Sequence, residues 1–188
     1  MIAVSAQPNS QPVARRKRRS IFRAAMPMWV VQCYYFIKHR ALVSGKAEVD
    51  LAPTTSWGKG CTISAFTKVK IAGPFVMGRQ VQIATGCFIA ASEAGLTIGD
   101  DVLISPNCTI LTSNYRFDRL GQPLPEQGAV SKGVRIGHRV WLGANSVVLD
   151  GAEIGDDAII SAGSIVSGSI AARSIIRGNP PKVIFTRR

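Results

Sequence analysis

An aliphatic residue recurs every six positions along much of this 188-residue chain. The series includes Ile98, Ile104 and Ile110, then resumes with Ile136, Leu142, Val148, Ile154, Ile160 and Val166. The fifth residue of each later six-residue segment, or hexad, is small or apolar: Val140, Ser146, Ala152, Ala158 and Ser164. An α-helical period of 3.6 residues does not fit this spacing. Since three hexads close a triangular coil of about 18 residues, and such coils stack about 4.8 Å apart, the pattern predicts an all-β solenoid.

The composition agrees with a β protein whose positive charge lies at one end. The chain contains 18 Gly, and 18% of its residues are charged, which suits a turn-rich β fold better than a helical bundle. Its net charge is +12, but residues 1–47 carry nine Lys or Arg and no Asp or Glu, whereas the remainder has 14 basic and 11 acidic residues. The body is therefore nearly neutral, and no nucleic-acid partner is expected.

The sequence divides into four parts. We predict a disordered basic tail over residues 1–19, an N-terminal helical segment over 20–47, a solenoid domain over 48–184 with an inserted loop at 112–133, and a C-terminal tail over 185–188.

The apolar stretch from Ala24 to Ile37 is too short to cross a bilayer, which needs about 20 residues. Two interpretations of the helical segment remain. Its basic neighbour could be attracted to anionic lipid headgroups, or the helix could pack on the first turn of the body beside a solvated tail.

The cysteines and histidines argue against a metal site. Cys33, Cys61, Cys87 and Cys108 form no C-x-x-C pair, and Cys87 and Cys108 fall on buried positions of the repeat. We interpret all four as reduced core thiols of a cytosolic protein. Since His39 and His138 are the only histidines in the sequence, no metal is expected.

The segment "TSNYRFDRLGQPLPEQG", residues 112–128, breaks the six-residue period. It is about one coil long and rich in polar residues. Solenoids place such insertions on their binding face, so this loop is predicted to take part in function.

Several motifs around the loop resemble a known family. The hexapeptide pattern, "VWLGANSVV", "SAGSIVSGSI" and the closing "GNPPKVI" lie in order between Leu51 and Ile184. Together they resemble the hexapeptide-repeat O-acetyltransferases, close to the galactoside, maltose and exopolysaccharide or lipopolysaccharide acetyltransferases. The resemblance implies a left-handed parallel β-helix, a homotrimer with active sites between subunits, and acetyl-coenzyme A as acyl donor.

The resemblance also assigns residues to the donor site. They are Trp141 beside the acyl group, Ala144 and Ala162 along the pantetheine arm, Ser167, Gly168 and Lys182 facing the distal half of coenzyme A, and Arg177 near its phosphates. The two alanines are 18 residues apart, so they should lie on the same corner of adjacent coils. Alternatively, the small corner residues merely satisfy the fold and Lys182 is a solvated surface charge.

The acceptor site is implied by fewer positions. Thr85 and Glu93 align with residues that line the family's sugar pocket, and Asn114 and Asp118 of the loop are predicted to contact the acceptor. Glu93 occupies a fifth position, which should be small, so its carboxylate is expected to point outward. It could hydrogen-bond a hydroxyl group or be an ordinary corner charge.

The main departure from the family is at Tyr115. The family loop begins with a histidine that acts as general base, and this chain has tyrosine at that position. A phenol, with a reference pKa of about 10, is a weak base at pH 7, whereas an imidazole near 6.5 is well placed. His138 should lie on a different corner, as an exposed turn residue or, if trimer packing turns it toward a neighbour, as a base.

Two functions remain open. The first is acetyl-coenzyme A-dependent O-acetylation of a sugar or glycan, with a surface polysaccharide precursor, lipid-linked in form, as the expected acceptor. The second is a catalytically impaired trimeric β-helix that serves as a binding or scaffold protein. A third function, a carbonic-anhydrase-type hydratase on the same fold, would need three His ligands per site. The chain has two histidines, one of them in the N-terminal helical segment, which nearly excludes this function. The expected location is cytoplasmic, with peripheral contact to the inner membrane face through the basic N-terminus.

Overall fold

The computed structural model describes residues 27–187, which form helix α1 (Met28–His39) and 22 short strands, 20 of them in the solenoid and two in the inserted loop. The predicted tail over residues 1–19 lies outside this range. Three parallel sheets form the solenoid walls.

Sheet A contains β1 (Leu42–Val43), β4 (Thr62–Ile63), β7 (Gln82–Ile83), β10 (Leu103–Ile104), β15 (Trp141–Leu142), β18 (Ile159–Ile160), β21 (Ser174–Arg177) and the antiparallel β22 (Lys182–Thr186). Sheet B contains β2 (Glu48–Val49), β5 (Lys68–Ile71), β8 (Phe88–Ala91), β11 (Thr109–Leu111), β16 (Val147–Val148) and β19 (Ile165–Val166). Sheet C contains β3 (Thr55–Trp57), β6 (Phe75–Met77), β9 (Leu96–Ile98), β14 (Val134–Ile136), β17 (Glu153–Ile154) and β20 (Ser169–Ile170).

The chain passes from sheet A to B to C in each coil, so each strand between the first and last coils pairs with its equivalents in the coils below and above. Trp141, for example, pairs with Leu103 on one side and Ile159 on the other. The predicted solenoid is confirmed, with about seven turns and the architecture of the left-handed hexapeptide-repeat β-helix. The corners where the chain passes from one sheet to the next are the A–B, B–C and C–A edges.

The repeat buries the predicted positions. Leu142 and Ile160, which begin hexads, point into the core, and the fifth-position residues Ala152 and Ala158 are fully buried. All four cysteines are free, and Cys61, Cys87 and Cys108 are buried. The prediction of a core thiol is wrong for Cys33, because this residue is exposed and lies outside the buried face of α1 that Val31 and Tyr35 form.

Helix α1 closes the N-terminal end of the solenoid. Tyr35 is fully buried and stacks on Trp57 of the first coil, with ring centroids 4.5 Å apart. The Tyr35 hydroxyl donates to the Asp50 carbonyl oxygen at 2.9 Å, and Gln32 Nε2 donates to the Val43 carbonyl oxygen at 3.0 Å. The interpretation that the helix packs on the first turn is therefore confirmed.

Two boundaries differ from the sequence prediction. The first strand, β1, begins at Leu42, inside the segment predicted to be helical. A single hexad at the end of that segment is too short to reveal a six-residue period. At the other end, β22 continues to Thr186 and pairs with β21. An antiparallel hairpin lacks the hexad signal, so the sequence indicated a tail from residue 185.

Within residues 27–187, no helix has the length and apolar character needed to cross a bilayer. Residues 112–133 lie between β11 and β14 at the B–C edge. They contain a two-stranded antiparallel pair, β12 (Asn114–Tyr115) and β13 (Ala129–Val130), and a 3₁₀ turn over Leu124–Gln127.

Candidate active site

Trp141 lies on the outer face of sheet A. Its chain neighbour Leu142 points into the core, so the period-2 geometry of a strand turns the indole outward, where it is 46% exposed. The indole Nε1 donates to Ser105 Oγ of the coil below at 2.9 Å. This hydrogen bond fixes the ring against the sheet surface.

A column of small residues follows the A–B edge beside Trp141. Ala144 and Ala162 lie one coil apart, because the Gly163 N–H donates to the Ala144 carbonyl oxygen at 2.9 Å. A Cβ atom added to Gly163 would meet nothing within 4 Å, so the space outside the column is open. A thin chain such as a pantetheine arm fits a surface of this kind.

Two cations lie at the upper end of this column. Arg177 and Lys182 are register partners in the hairpin of β21 and β22, and both are exposed. Gly178, next in the chain after Arg177, donates its N–H to Ser164 Oγ at 3.0 Å, which ties the hairpin to the A–B edge. The two side chains supply positive charge where a phosphorylated ligand along the column would end.

Thr85 belongs to the same edge, lower in the solenoid. Its carbonyl oxygen accepts the N–H of Asn107 at 3.0 Å, and the Asn145 N–H in turn donates to the Pro106 carbonyl oxygen at 3.0 Å. Thr85 therefore lies two coils below Ala144. Glu93 lies in the same coil as Thr85 but at the B–C edge, where it is exposed as predicted.

The loop presents the predicted acceptor residues at the B–C edge. Tyr115 pairs with Ala129 across the antiparallel strands, and its side chain is exposed. Asn114 Oδ1 accepts the Tyr115 N–H at 2.9 Å, which orders the start of the loop. Asp118 is also exposed.

A buried glutamine that the sequence analysis missed holds the loop together. Gln127 Nε2 donates to the carbonyl oxygens of Arg119 at 2.9 Å and Gln122 at 2.8 Å, and its Oε1 accepts the Arg119 N–H at 3.0 Å. At the base of the loop, the Ser92 and Ser113 hydroxyls lie 2.8 Å apart. A single glutamine among Pro and Gly has no periodic signal, so the sequence alone could not identify this role.

The polar loop also carries exposed apolar side chains near its tip. Phe117 and Leu124 are exposed, and Leu120 is 99% exposed. Large apolar side chains held this far from the core are typical of a surface that another protein covers.

The structure divides the predicted residues between two edges with sheet B between them. The A–B side holds Thr85, Trp141, Ala144, Ala162, Arg177 and Lys182, and the B–C edge holds Glu93, Asn114, Tyr115, Asp118, Ser167 and Gly168. Ser167 and Gly168 thus do not join the alanine column, because they follow Val166, the last residue of a sheet B strand. One chain does not bring the two groups together.

Neither histidine belongs to these groups. His138 is an exposed residue of the C–A edge, and its Nδ1 accepts the Asp100 N–H at 3.0 Å. His39 is buried in α1, where its Nδ1 lies 3.3 Å from the Trp57 carbonyl oxygen. Burial is the main cause that lowers the pKa of His39, and the hydrogen bond to Trp57 opposes this by raising it. In residues 27–187, no three His, Cys, Asp or Glu side chains cluster as metal ligands do.

Comparison with known proteins adds two sequence matches. The family model "Bacterial transferase hexapeptide (six repeats)" matches residues 133–168. WbbJ of Escherichia coli (strain K12), named as a lipopolysaccharide biosynthesis O-acetyl transferase, is 30% identical over 155 residues, which cover 79% of this chain and 76% of WbbJ.

Two solved structures share the fold. AntD, an N-acyltransferase from Bacillus cereus in complex with dTDP and coenzyme A, superposes with a TM-score of 0.72 at 22% identity, covering 82% of this chain and 88% of AntD. A galactoside acetyltransferase in complex with coenzyme A superposes with a TM-score of 0.56 at 25% identity, covering 89% of this chain and 76% of that enzyme.

Proposed function

The chain belongs to the hexapeptide-repeat O-acetyltransferase family, and from this premise we propose that it transfers an acetyl group from acetyl-coenzyme A to a hydroxyl group of a sugar or glycan. The acceptor hydroxyl oxygen forms the new ester bond, the thioester bond breaks, and the thiol of coenzyme A leaves with a proton.

The column at the A–B edge carries the proposal. Ala144 and Ala162 leave room for the pantetheine arm, whose amides can bond to corner backbone groups, and Trp141 covers the acyl end. Arg177 and Lys182 bind the phosphates of the nucleotide half. The small residues, the open side and the paired cations support binding of coenzyme A along this edge.

The complete site needs a second copy of the chain. The loop and the column lie on different edges, and the apolar loop tip around Leu120 lacks a cover among residues 27–187. In a closed threefold assembly, the loop of one subunit can reach the column of its neighbour. We propose a homotrimer in which Tyr115 and Asp118 meet the partner's column, and in which Ser167 and Gly168 contact coenzyme A from the adjacent subunit.

The acceptor is bound by the loop. Asn114, Tyr115 and Asp118 supply hydrogen-bonding groups for sugar hydroxyls, together with Glu93 at the same B–C edge and the neighbouring subunit's Thr85 at its A–B edge. With tyrosine in place of the family histidine, Tyr115 orients the attacking hydroxyl, and proton removal falls to solvent or to the substrate.

A precursor of a surface polysaccharide is the proposed acceptor, and WbbJ, named for lipopolysaccharide biosynthesis, supports this choice. The cytoplasm is the proposed location, since the cysteines are free, as is usual in a reducing compartment.

Binding and transfer measurements test the proposal. Titration with acetyl-coenzyme A should show saturable binding, weakened about 10-fold or more in Arg177→Gln/Lys182→Gln, because two phosphate contacts are lost. The control Arg135→Gln/Lys59→Gln removes two exposed cations elsewhere and should bind normally. Labelled acetyl groups should then appear on members of a glycan panel.

Tyr115 in place of histidine favours one alternative, a trimeric scaffold that binds ligands without turnover. Saturable coenzyme A binding without transfer to any glycan would establish that alternative. Absence of binding would overturn both.

A further inference from the structure

Helix α1 has two apolar faces, and the solenoid covers one of them. The buried face includes Tyr35. Trp29, Cys33 and Ile37 follow each other at spacings of four on the other side, Phe36 lies three residues after Cys33, and Ile37 is 80% exposed. A helix that merely caps a solenoid needs one apolar face, so the second face requires a separate explanation.

The exposed face continues onto the first strand. Leu42 of β1 is largely exposed, and between the helix and sheet A runs a groove of about 800 Å³, lined by Cys33, Phe36, Ile37, Leu42 and Thr62. We call Trp29, Cys33, Phe36, Ile37 and Leu42 the outer apolar surface. Its size and continuity are typical of a surface that contacts another molecule or a membrane.

The charge around this surface is positive. Residues 1–47 contain nine basic residues and no acidic residue, and Lys38, Arg40 and Lys46 are exposed beside the helix. The nearest acidic side chain along the chain, Glu48, forms ion pairs with Lys68 and Lys70 on sheet B. An anionic partner therefore meets little repulsion at this end.

We propose that the α1 end of the solenoid docks on an anionic lipid bilayer. The outer apolar surface enters the interfacial layer, as in amphipathic helices that lie in the membrane plane, and tryptophan is favoured at that depth. The basic residues attract anionic headgroups and supply the second signal that stable peripheral binding requires.

Docking at this end sets the distance between the bilayer surface and the proposed active site. Leu42 on β1 and Trp141 on β15 are four strand spacings apart in sheet A, which corresponds to about 19 Å. This part of the inference rests on the proposed acetyl transfer. It identifies the acceptor as a glycan on a lipid carrier, whose sugars rise from the bilayer to the height of Trp141.

Vesicle binding by the full-length protein tests the proposal. The probes are phosphatidylcholine vesicles with and without 30 mol% phosphatidylglycerol (about that fraction gives an anionic surface like that of a cytoplasmic leaflet). We expect binding to the anionic vesicles, with a blue shift of Trp29 fluorescence that a Trp29→Phe variant lacks. Raised salt should weaken binding because it screens the headgroup attraction.

A matched pair of variants isolates the apolar surface. Phe36→Ser/Ile37→Ser should weaken binding about 10-fold or more, whereas Phe36→Leu/Ile37→Leu should retain it, since burial of apolar area is kept. Both variants should transfer acetyl groups to a soluble glycan at the wild-type rate. Failure of transfer in every protein would overturn the proposed function and leave the docking test intact.

Three outcomes would overturn the docking proposal. Equal vesicle binding by the Ser and Leu variants would assign binding to charge alone. Loss of oligomer in the Ser variant without vesicle binding would make this surface an interface between copies of the chain. If proteolysis of residues 1–26 accelerates in the Ser variant and vesicles do not bind, the surface receives the chain's own N-terminal segment.

Discussion

Gln127 binds both backbone groups of Arg119, accepting the N–H at 3.0 Å and donating to the carbonyl oxygen at 2.9 Å. This pair closes the loop that carries Tyr115, and it lies outside the solenoid core. We expect Gln127→Glu to loosen the loop, because a carboxylate would face the carbonyl oxygens of Arg119 and Gln122. Acetyl transfer should fall about 10²-fold, the scale of a misplaced catalytic group.

Limited trypsin digestion measures the same change, since Arg116 and Arg119 lie in the loop. Cleavage should accelerate in Gln127→Glu while the thermal midpoint of the solenoid stays nearly constant. Glu126→Gln is the matched control, because this neighbouring side chain is exposed. Unaltered digestion and transfer in Gln127→Glu would show that the glutamine does not hold the loop.

Much of the fold follows from the sequence because each inward residue repeats in register. The spacing of Ala144 and Ala162 was sufficient to stack them on one corner, as the structure shows. The resemblance assigns Ser167 and Gly168 to the distal half of coenzyme A without saying which corner they occupy. The hexad frame supplies that corner, because Ala162 follows Ile160 and Ser167 follows Val166, the start of the next hexad.

Contacts between distant residues were not predictable in the same way. The stacking of Tyr35 on Trp57 joins a helix to a coil that starts after it, and neither residue belongs to a repeat. The three hydrogen bonds of Gln127 depend on the path of a nonrepetitive loop. Such contacts are set by tertiary geometry, so a one-dimensional period does not encode them.

Thiol labelling tests the burial of the cysteines. In the native protein, N-ethylmaleimide should modify Cys33 and leave Cys61, Cys87 and Cys108 unreacted, because buried thiols exclude the reagent. Mass spectrometry of the intact chain should show one adduct, and all four sites should react after denaturation. A Cys33→Ser variant that still gains a native adduct would contradict the predicted pattern.

The buried His39 should make stability depend on pH. Its pKa is lowered mainly by burial, so the unfolded chain, with a reference value of about 6.5, takes up the proton first. The stabilisation is complete above about pH 6.5 and is lost as the pH falls below it, by at most about 1.4 kcal/mol per pH unit.

Denaturant unfolding between pH 5 and 8 (roughly the range in which histidines titrate) measures this dependence. His39→Phe should flatten the profile, whereas His138→Gln should preserve it because His39 remains. Glu48, whose pKa is lowered to about 2 mainly by its hydrogen bond with Lys70, titrates below this window. An identical slope in wild type and His39→Phe would exclude the histidine as the cause.

Mixed assemblies test whether the proposed site spans two subunits. Tyr115→Ala damages the loop and Trp141→Ala damages the column, so each variant alone should be nearly inactive. The two variants are then mixed in equal amounts and refolded together. In about a quarter of the sites of the mixed trimers, an intact loop from one subunit meets an intact column from its neighbour. Transfer should recover to about that fraction of wild type. A mixture no more active than its components would place the whole site within one chain.

Substitution of Tyr115 tests its role in the reaction. If its hydroxyl orients the acceptor by one hydrogen bond, Tyr115→Phe should cost about 1 to 3 kcal/mol of transition-state binding. Tyr115→His should raise the rate, since a positioned base commonly contributes about 10² to 10⁴-fold. The wild-type rate should rise with pH without a plateau near 6.5, the reference pKa of an imidazole, whereas the histidine variant should show one. Equal activity of wild type and Tyr115→Phe would remove the phenol from the mechanism, and His138→Gln would then be the next variant to measure.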